Sequence, residues 1–332
     1  MSSLPAVAYR WETGVRDLLA RFARRRGWTP TVLAHPGYGS GGRVRVLGRV
    51  LLAPAGARPE RRRPLPGWQR LLTLESPGTQ VQVHVGGYVA QTVSDRNGLV
   101  DVTVDLPTEL QGRGQVPVVL RVEGRSAGTV AHLAAPGAAQ GVVCDLDDTL
   151  LVTGMTSPLL AAYRTLVQLP TRRRAVPGMS ELLRELTTAA VPVPVVYLSN
   201  GPWNFAGSLA RFLDRNGFPP GALLLTDWGV QPDRWFRDGR AHKRASLRRL
   251  VDDVPSVRWT LLGDTTEHDP VLYREFAAQA PDRVRAILLR DLAVPDGPAR
   301  VEWLGSVPVV SGPDGLVLRD AVRALGGRDQ PV

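Results

Sequence analysis

The sequence predicts a two-domain α/β protein, in which an N-terminal amphipathic helix and a small all-β sandwich precede a parallel sheet. Three observations predict this arrangement. Apolar residues have helical spacing at the start of the chain, a period of two from residue 42 to about 133, and continuous runs beyond residue 140. Residues 134–139 read AAPGAA and predict a linker. The expected units are residues 1–40, 41–135 and 139–328.

The first predicted element is a basic helix over residues 9–26, ended by Gly27. Five apolar residues share one face at helical spacing: Trp11, Val15, Leu18, Leu19 and Phe22. Such a stripe packs against a neighbouring domain or lies on an anionic membrane surface. Packing is the more common fate of such a stripe, and we expect it here.

The alternating strands from residue 42 to 133 predict a β-sandwich. Within it, Ser94 to Gly98 has the composition of a hairpin turn. Arg58 to Pro64 lacks periodicity and predicts an exposed loop. Its arginine triplet could contact phosphates, but a solvated loop is the expected structure.

Beyond the linker, short apolar runs alternate with helical patterns. The predicted strands are 142–145, 193–198, 222–225, 259–262 and 284–289. The predicted helices lie near 178–190, 204–216, 242–253 and 269–279. Continuous apolar runs between helices are typical of a parallel sheet that helices cover on both faces.

The chain carries 41 basic and 31 acidic residues, and the excess is N-terminal. Residues 1–137 hold 18 basic and 9 acidic residues, a balance of +9, whereas the remainder holds 23 and 22, a balance of +1. This asymmetry indicates an anionic partner for the first half, unless the charge only keeps the protein soluble. Forty of the basic residues are arginine, so Lys243 is the sole lysine. A compact ammonium is therefore expected to be needed at that position.

Several protein classes are excluded. Cys144 is the only cysteine, which rules out a disulfide scaffold. The N-terminus lacks a basic start followed by an apolar core, and no apolar stretch is long enough to span a bilayer. We expect a cytoplasmic protein that could be peripheral to a membrane. The oligomeric state is not predicted.

Polar residues follow three of the predicted strands at the edge where a parallel sheet binds ligands. Asp145 and Asp147 follow the first strand, Ser199 the second, and Asp264 the fourth. Two aspartates two positions apart can take different catalytic roles. Asp145 would attack phosphorus as the nucleophile, and Asp147 would protonate the leaving oxygen as the general acid. That attack needs Mg²⁺, held by Asp145, the backbone carbonyl of Asp147 and Asp264.

The predicted site also needs groups that bind the phosphate oxygens. Lys243 would bridge the nucleophile and one oxygen, and the Ser199 hydroxyl with nearby backbone N–H groups would bind another. Thr149, Asn200 and Gly201 are the expected substrate-binding neighbours.

Together these segments resemble the haloacid dehalogenase superfamily of phosphatases. DxDxT, a strand-end serine, a lysine opening a helix and GDxxxxD occur in the superfamily order. The resemblance implies a Rossmann-like sheet and an aspartyl-phosphate on Asp145. It also implies that Asp147 acts as general acid and then general base, and that Asp269 supports the metal.

The longer strings DLDDTLLVT, YLSNGPWN and GDTTEHDPVLY resemble the phosphatidate phosphatases first recognised in an actin-patch protein. That family implies Mg²⁺-dependent hydrolysis of a lipid phosphomonoester to diacylglycerol and phosphate. Glycine stands at position 201 where serine is expected, which affects specificity more than chemistry.

The spacing of the motifs predicts an open site with a minimal cap. Ser199 lies 52 positions after Asp147 and 44 before Lys243, which leaves little room for a cap domain. An open site suits a substrate held in a membrane surface. Trp228 to Phe236 could form an apolar lip at its mouth.

Two alternatives stay open. One is a phosphatase acting on a soluble small-molecule or protein phosphoester. The other is a non-catalytic adaptor that binds a membrane or nucleic acid, although clustered carboxylates disfavour a retired site and nucleic acid is the less expected partner.

Overall fold

The computed structural model describes residues 4–56, 73–152, 174–226, 239–294 and 296–326. These residues form a mixed α/β structure with two sheets. Two predicted features lie outside the described residues, the arginine-rich loop at 58–64 and the aromatic segment at 228–236. Residues 153–173, which follow the DxD motif and where a cap could be inserted, also lie outside them.

In the first half, the described residues form helix α1 (Leu4–Arg25) and eight strands. The strands are β1 (Trp28–Ser40), β2 (Arg43–Pro54), β3 (Leu74–Glu75), β4 (Gln80–Val85), β5 (Tyr88–Val93), β6 (Leu99–Asp105), β7 (Gln115–Val122) and β8 (Arg125–Ala134). They hydrogen-bond in the order β3-β2-β1-β8-β7-β4-β5, and β6 pairs with β2. Alternate residues of these strands are buried around a valine-rich core, as the period of two predicts.

The strands form one continuously hydrogen-bonded sheet, and Gly48 of β2 faces the Leu120 side chain of β7, so the sheet folds over its own core. The sandwich itself stays a prediction, but one expectation about strand pairing is wrong. The predicted hairpin turn does form, because the Asp95 carboxylate accepts the N–H groups of Asn97 and Leu99 at 2.8 Å each. After this turn, however, β6 pairs with Arg43 to Arg49 of β2 instead of with β5. Alternation fixes which face of a strand is buried, but it does not fix the strand's partner.

The packing expected of the N-terminal helix is also wrong. The helix forms, but the apolar residues of its stripe are exposed, and the helix contacts the β-domain through another side, which carries Arg24 and the buried Ala23. The sequence pattern establishes the stripe without establishing which face meets the protein.

The second half is built on a seven-stranded sheet. Its strands are β9 (Gln140–Asp145), β10 (Val195–Pro202), β11 (Ala222–Thr226), β12 (Arg258–Asp264), β13 (Val284–Arg290), β14 (Arg300–Leu304) and β15 (Val307–Gly312). The order is β11-β10-β9-β12-β13-β15-β14, with β14 antiparallel and the other strands parallel.

Within the described part of this half, five helices accompany the sheet: α2 (Met179–Thr187), α3 (Ala206–Arg215), α4 (Gly239–Asp253), α5 (Asp269–Gln279) and α6 (Gly315–Gly326). The five predicted strands and four predicted helices all lie within these elements or within a few residues of their bounds. Among the described residues, no helix has the length and apolar content needed to cross a membrane.

The two sheets meet at the start of α3 and the end of α4. Ser40 donates a hydrogen bond to the backbone carbonyl of Asp253 at 2.8 Å, and the Tyr38 hydroxyl donates to the Asp253 carboxylate at 2.8 Å. The His35 ring lies 5.0 Å from the Trp203 ring, centroid to centroid. The β-domain therefore packs against the segment that follows β10.

Candidate active site

The strand register brings the predicted polar residues to one edge of the second sheet. Asp145 of β9 pairs with Leu198 of β10, so Ser199 follows at the same level. Cys144 pairs with Leu262 of β12, which places Asp264 just beyond. The apolar runs thus end together, and the carboxylates after them converge.

Lys243 lies at the centre of this edge. It projects from the second turn of α4, is 1% exposed, and donates to Asp145 Oδ1 at 2.7 Å and to Asp269 Oδ1 at 2.5 Å. Glu267 Oε2 is 3.5 Å from the same ammonium. Burial acts against the charged form of Lys243, but Asp145 and Asp269 raise its pKa well above the usual value, so the ammonium stays charged.

Three carboxylates surround a common point. Ligand oxygens of Asp145, Asp264 and Asp269 all lie within 4.8 Å of one another, and all three residues are buried. The second oxygen, Oδ2, of each has no hydrogen-bond partner among the described residues. Burial, opposed by Lys243, raises the pKa of Asp145 well above its usual value, because excess negative charge is costly inside a protein.

Backbone geometry holds the cluster together. Asp264 Oδ1 accepts the N–H groups of Thr266 at 2.6 Å and Glu267 at 3.1 Å, so the turn after β12 fixes this carboxylate. At Gly263, an added Cβ would lie 2.5 Å from Asp269 Oδ2. Glycine at that position is therefore what lets the start of α5 approach the end of β12.

Asp147 lies apart from the carboxylate triplet. Its Oδ2 accepts a hydrogen bond from the Ser199 hydroxyl at 3.0 Å, and Ser199 Oγ in turn accepts the Gly201 N–H at 2.9 Å. Asp148, next in the chain, adopts a left-handed backbone with φ of 52°. The two aspartates of the DxD motif have different neighbours, since Asp145 accepts from Lys243 and Asp147 accepts from Ser199.

The predicted substrate-binding residues differ in their surroundings. The Thr149 hydroxyl is fully buried and has no hydrogen-bond partner among the described residues. Asn200 donates to Glu267 Oε2 at 3.4 Å, and Gly201 is committed through its N–H to Ser199.

Glu267 is a site residue that the sequence reasoning did not assign. Burial raises its pKa from 4.5 to about 7, with Lys243 opposing that shift. The signal available in the sequence was its place between Asp264 and Asp269. Carboxylates are common in such turns, so the sequence alone gave no reason to select it.

A second set of contacts ties the β10 loop to the β-domain. Arg49 of β2 donates to Asn204 Oδ1 at 2.8 Å, and Asn204 donates to Thr73 Oγ1 at 2.9 Å. Arg49 also donates to Glu75 Oε1 at 2.7 Å. The loop that carries Ser199 is thus held from both sheets.

Residues 140–291 match the model of the catalytic domain of phosphatidate phosphatase APP1. The second half of the chain is therefore similar to a phosphatase catalytic domain, and we refer to it as the catalytic half. The match covers β9 to β13 and every site residue described above.

Two curated proteins are similar to this chain, and one of them carries the name of the matching family. The chain is 24% identical to phosphatidate phosphatase APP1 of Saccharomyces cerevisiae over 64% of this chain and 36% of that protein. It is 26% identical to an uncharacterized protein of Schizosaccharomyces pombe over 46% of this chain and 25% of that protein. The chain thus aligns with about a third of one relative and a quarter of the other.

Among solved structures, a carbohydrate acetylesterase from Xanthomonas citri aligns over 90% of this chain and 74% of that chain, with 12% identity and a TM-score of 0.31. That value is too low to indicate a shared fold.

Proposed function

We propose that this protein is a Mg²⁺-dependent phosphatidate phosphatase of the haloacid dehalogenase type. It would hydrolyse a lipid phosphomonoester to diacylglycerol and inorganic phosphate. The observation that carries the proposal is the buried triplet of Asp145, Asp264 and Asp269 around the chain's only lysine, inside the segment that matches the APP1 catalytic domain.

The residues present fit a divalent cation. Three buried oxygens, Oδ2 of Asp145, Asp264 and Asp269, lack hydrogen-bond partners among the described residues, and one ammonium cannot neutralise three carboxylates. Oxygen ligands of this kind suit Mg²⁺. Asp145 and Asp264 would hold the ion with the Asp147 carbonyl, and Asp269 would support it. When bound, the ion would offset the negative charge of the phosphate and the carboxylates.

The first chemical step forms one bond to phosphorus and breaks another. A carboxylate oxygen of Asp145 attacks phosphorus, and the bond from phosphorus to the diacylglycerol oxygen breaks. Asp147, in its protonated form, gives its proton to that leaving oxygen. Lys243 keeps Asp145 oriented through the 2.7 Å contact and stabilises charge on the transferring group.

The second step returns the enzyme to its starting state. Water attacks the phosphorus of the aspartyl-phosphate and loses a proton to Asp147, and the bond from phosphorus to Asp145 breaks. The Ser199 hydroxyl donates a hydrogen bond to Asp147 Oδ2 at 3.0 Å. It would hold that carboxyl group in position during both proton transfers and would bind a phosphate oxygen.

The test is phosphate release from phosphatidate in mixed vesicles, compared with a panel of soluble phosphoesters, with and without Mg²⁺. Asp145→Asn should abolish release from every substrate, whereas Asp148→Asn is a matched control, because asparagine tolerates the left-handed backbone at that position. Release that is selective for vesicles supports the lipid substrate. Release from soluble esters alone would retain the chemistry and discard the lipid, and no release from any phosphoester would favour a non-catalytic adaptor.

A further inference from the structure

Helix α1 turns its apolar face to solvent. Its five large apolar side chains, at positions that share one face of a helix, are exposed: Trp11, Val15, Leu18, Leu19 and Phe22. Their exposed fractions run from 42% for Val15 to 73% for Trp11. A surface helix ordinarily buries its apolar stripe, so this orientation is the reverse of the usual one.

Another side of α1 is anchored on the β-domain. Ala23 is buried, and Arg16 Nε lies 3.7 Å from Glu75 Oε2. Arg24 donates to the Ser76 hydroxyl at 3.0 Å. Small and polar residues therefore hold the helix on the β-domain, and the apolar stripe faces solvent. Contiguous exposed apolar surface of this kind marks an interaction site.

Positive charge borders the stripe. Residues 4–26 contain six arginines and two acidic residues. Helical spacing places Arg21 and Arg25 along one edge of the stripe, and the Arg26 guanidinium lies 4.3 Å from the centre of the Phe22 ring. Arginines on such an edge keep their charged ends at the level of lipid phosphates while their stems cover apolar surface.

A cavity extends the positive surface past the end of α1. It has a volume of about 780 Å³, and Arg24, Arg121 and Arg125 line it together with Glu123. Three guanidinium groups against one carboxylate favour anionic ligands, which continues the charge preference of the helix.

A chain of polar contacts connects helix α1 to the loop that carries Ser199. Glu75 touches Arg16 of α1 on one side and Arg49 on the other, and Arg49 donates to Asn204 in the loop that carries Ser199. Two ion pairs and one hydrogen bond thus separate the exposed helix from the site.

From these observations we propose that α1 lies flat in the surface of an anionic phospholipid membrane, with its apolar stripe among the acyl chains and its arginines at the phosphates. This proposal rests on the proposed function, because a lipid substrate is what would bring the protein to a membrane surface. A second copy of this chain is the weaker occupant, because paired stripes would bring their bordering arginines together.

Vesicle flotation of the full chain tests the docking without any turnover. Phosphatidylcholine vesicles with and without phosphatidylglycerol are used, since neither lipid is a phosphomonoester. We expect binding only to the anionic vesicles, with loss of binding at high salt. Leu18→Ser with Phe22→Ser should weaken binding by about tenfold or more. Trp303→Ser, at a side chain that is 61% exposed on β14, is the control and should bind like the wild type.

A second measurement reports the seating of the helix. Cys144 is buried, so an engineered Phe22→Cys can be labelled selectively with a polarity-sensitive dye. Its emission should shift to the blue on anionic vesicles, whereas the same dye at Trp303→Cys should not respond. Equal binding by the serine variants, no shift at position 22, or a concentration-dependent dimer without vesicle binding would overturn the proposal.

Phosphate release from phosphatidate in vesicles, measured beside flotation, separates this proposal from the proposed function. If docking fails while vesicle phosphatidate is still hydrolysed, only the role of α1 is wrong. If docking holds while no phosphatidate is hydrolysed, only the substrate is wrong.

Discussion

The two halves of the molecule bury charged clusters that differ in balance. In the β-domain, buried Arg49 lies 2.7 Å from the Glu75 carboxylate, and the partly exposed Arg16 lies 3.7 Å from it, so this cluster has no excess of negative charge. In the catalytic half, Lys243 faces the triplet of Asp145, Asp264 and Asp269. A balanced buried pair holds two elements together, whereas excess buried charge is costly unless a ligand neutralises it. The imbalance therefore marks the site, and the pair of Arg49 and Glu75 supports it.

The strongest test of this contrast removes the buried cation from each cluster. Lys243→Met should lower the free energy of unfolding by about 3–5 kcal/mol, because it leaves buried carboxylate charge uncompensated. Arg49→Met should lower it by about 1–3 kcal/mol, because Glu75 loses a hydrogen-bond donor while Arg16 stays within 3.7 Å of it. Their activities should differ. Lys243→Met should lose turnover by roughly a thousandfold or more, whereas Arg49→Met should stay within about tenfold of the wild type.

Denaturant unfolding and phosphate release measure the two effects. Arg244→Ala is the control, since this neighbour of Lys243 pairs with Glu275 at the surface and should change the stability little. Equal losses of turnover in the two methionine variants would contradict the contrast.

The second largest effect expected is stabilisation by Mg²⁺, which should depend on the aspartate cluster and not on Arg49. Saturating Mg²⁺, at about 100 times its Kd, should stabilise the wild type and Arg49→Met by about 2.7 kcal/mol. Asp264→Asn should abolish the gain, because it removes one ligand while its remaining oxygen can keep accepting the Thr266 N–H. Thermal unfolding with Mg²⁺ and with chelator measures the difference, and an undiminished gain in Asp264→Asn would place the cation elsewhere.

His35 makes the β-domain cluster sensitive to pH. Burial, followed by the charge of Arg49, lowers the pKa of His35 from 6.5 to about 4. The unfolded chain binds this proton at pH 6.5 and the folded one only near pH 4. Stability is therefore complete above pH 6.5 and falls by about 3 kcal/mol as the pH drops toward 4. In His35→Phe, the free energy of unfolding should depend less steeply on pH between 6.5 and 4. An unchanged pH dependence would show that the ring does not take up a proton on unfolding.

Much of the catalytic half follows from its sequence, and the reason is local. Continuous apolar runs define the strands, and Asp145, Ser199 and Asp264 stand immediately after them. The only lysine identifies Lys243 without any structure. These signals do not depend on how distant parts of the chain meet.

Features that depend on tertiary partners were not predicted. The alternation in β5 and β6 gave no information on their pairing, and the stripe of α1 did not reveal which face meets the β-domain. The contact of Arg49 with Asn204 joins residues 155 positions apart and has no local pattern. Glu267 joins the site because Asn200 and Lys243 reach it from other elements.

The smallest expected effect concerns that long-range contact. Asn204→Ala removes the acceptor of Arg49 and the donor to Thr73, which should loosen the loop carrying Ser199. We expect kcat to fall by about tenfold with little change in binding to anionic vesicles. Asn216→Ala, which removes a local bond to Phe212 at the end of α3, is the matched control. A fall in vesicle binding at unchanged kcat would assign Asn204 to docking instead.

The most direct test of the account asks which residue receives the phosphoryl group. Asp147→Asn should slow both steps with phosphatidate, because the diacylglycerol oxygen needs a proton to leave. With p-nitrophenyl phosphate and Mg²⁺, whose leaving group needs no proton, only hydrolysis of the aspartyl-phosphate should be slowed, so that it accumulates. Borohydride converts an acyl phosphate of aspartate to homoserine, which peptide mass spectrometry can locate. We predict homoserine at position 145, and none in Asp145→Asn. Modification at another residue, or wild-type turnover with Asp145 replaced, would contradict the assignment of the nucleophile.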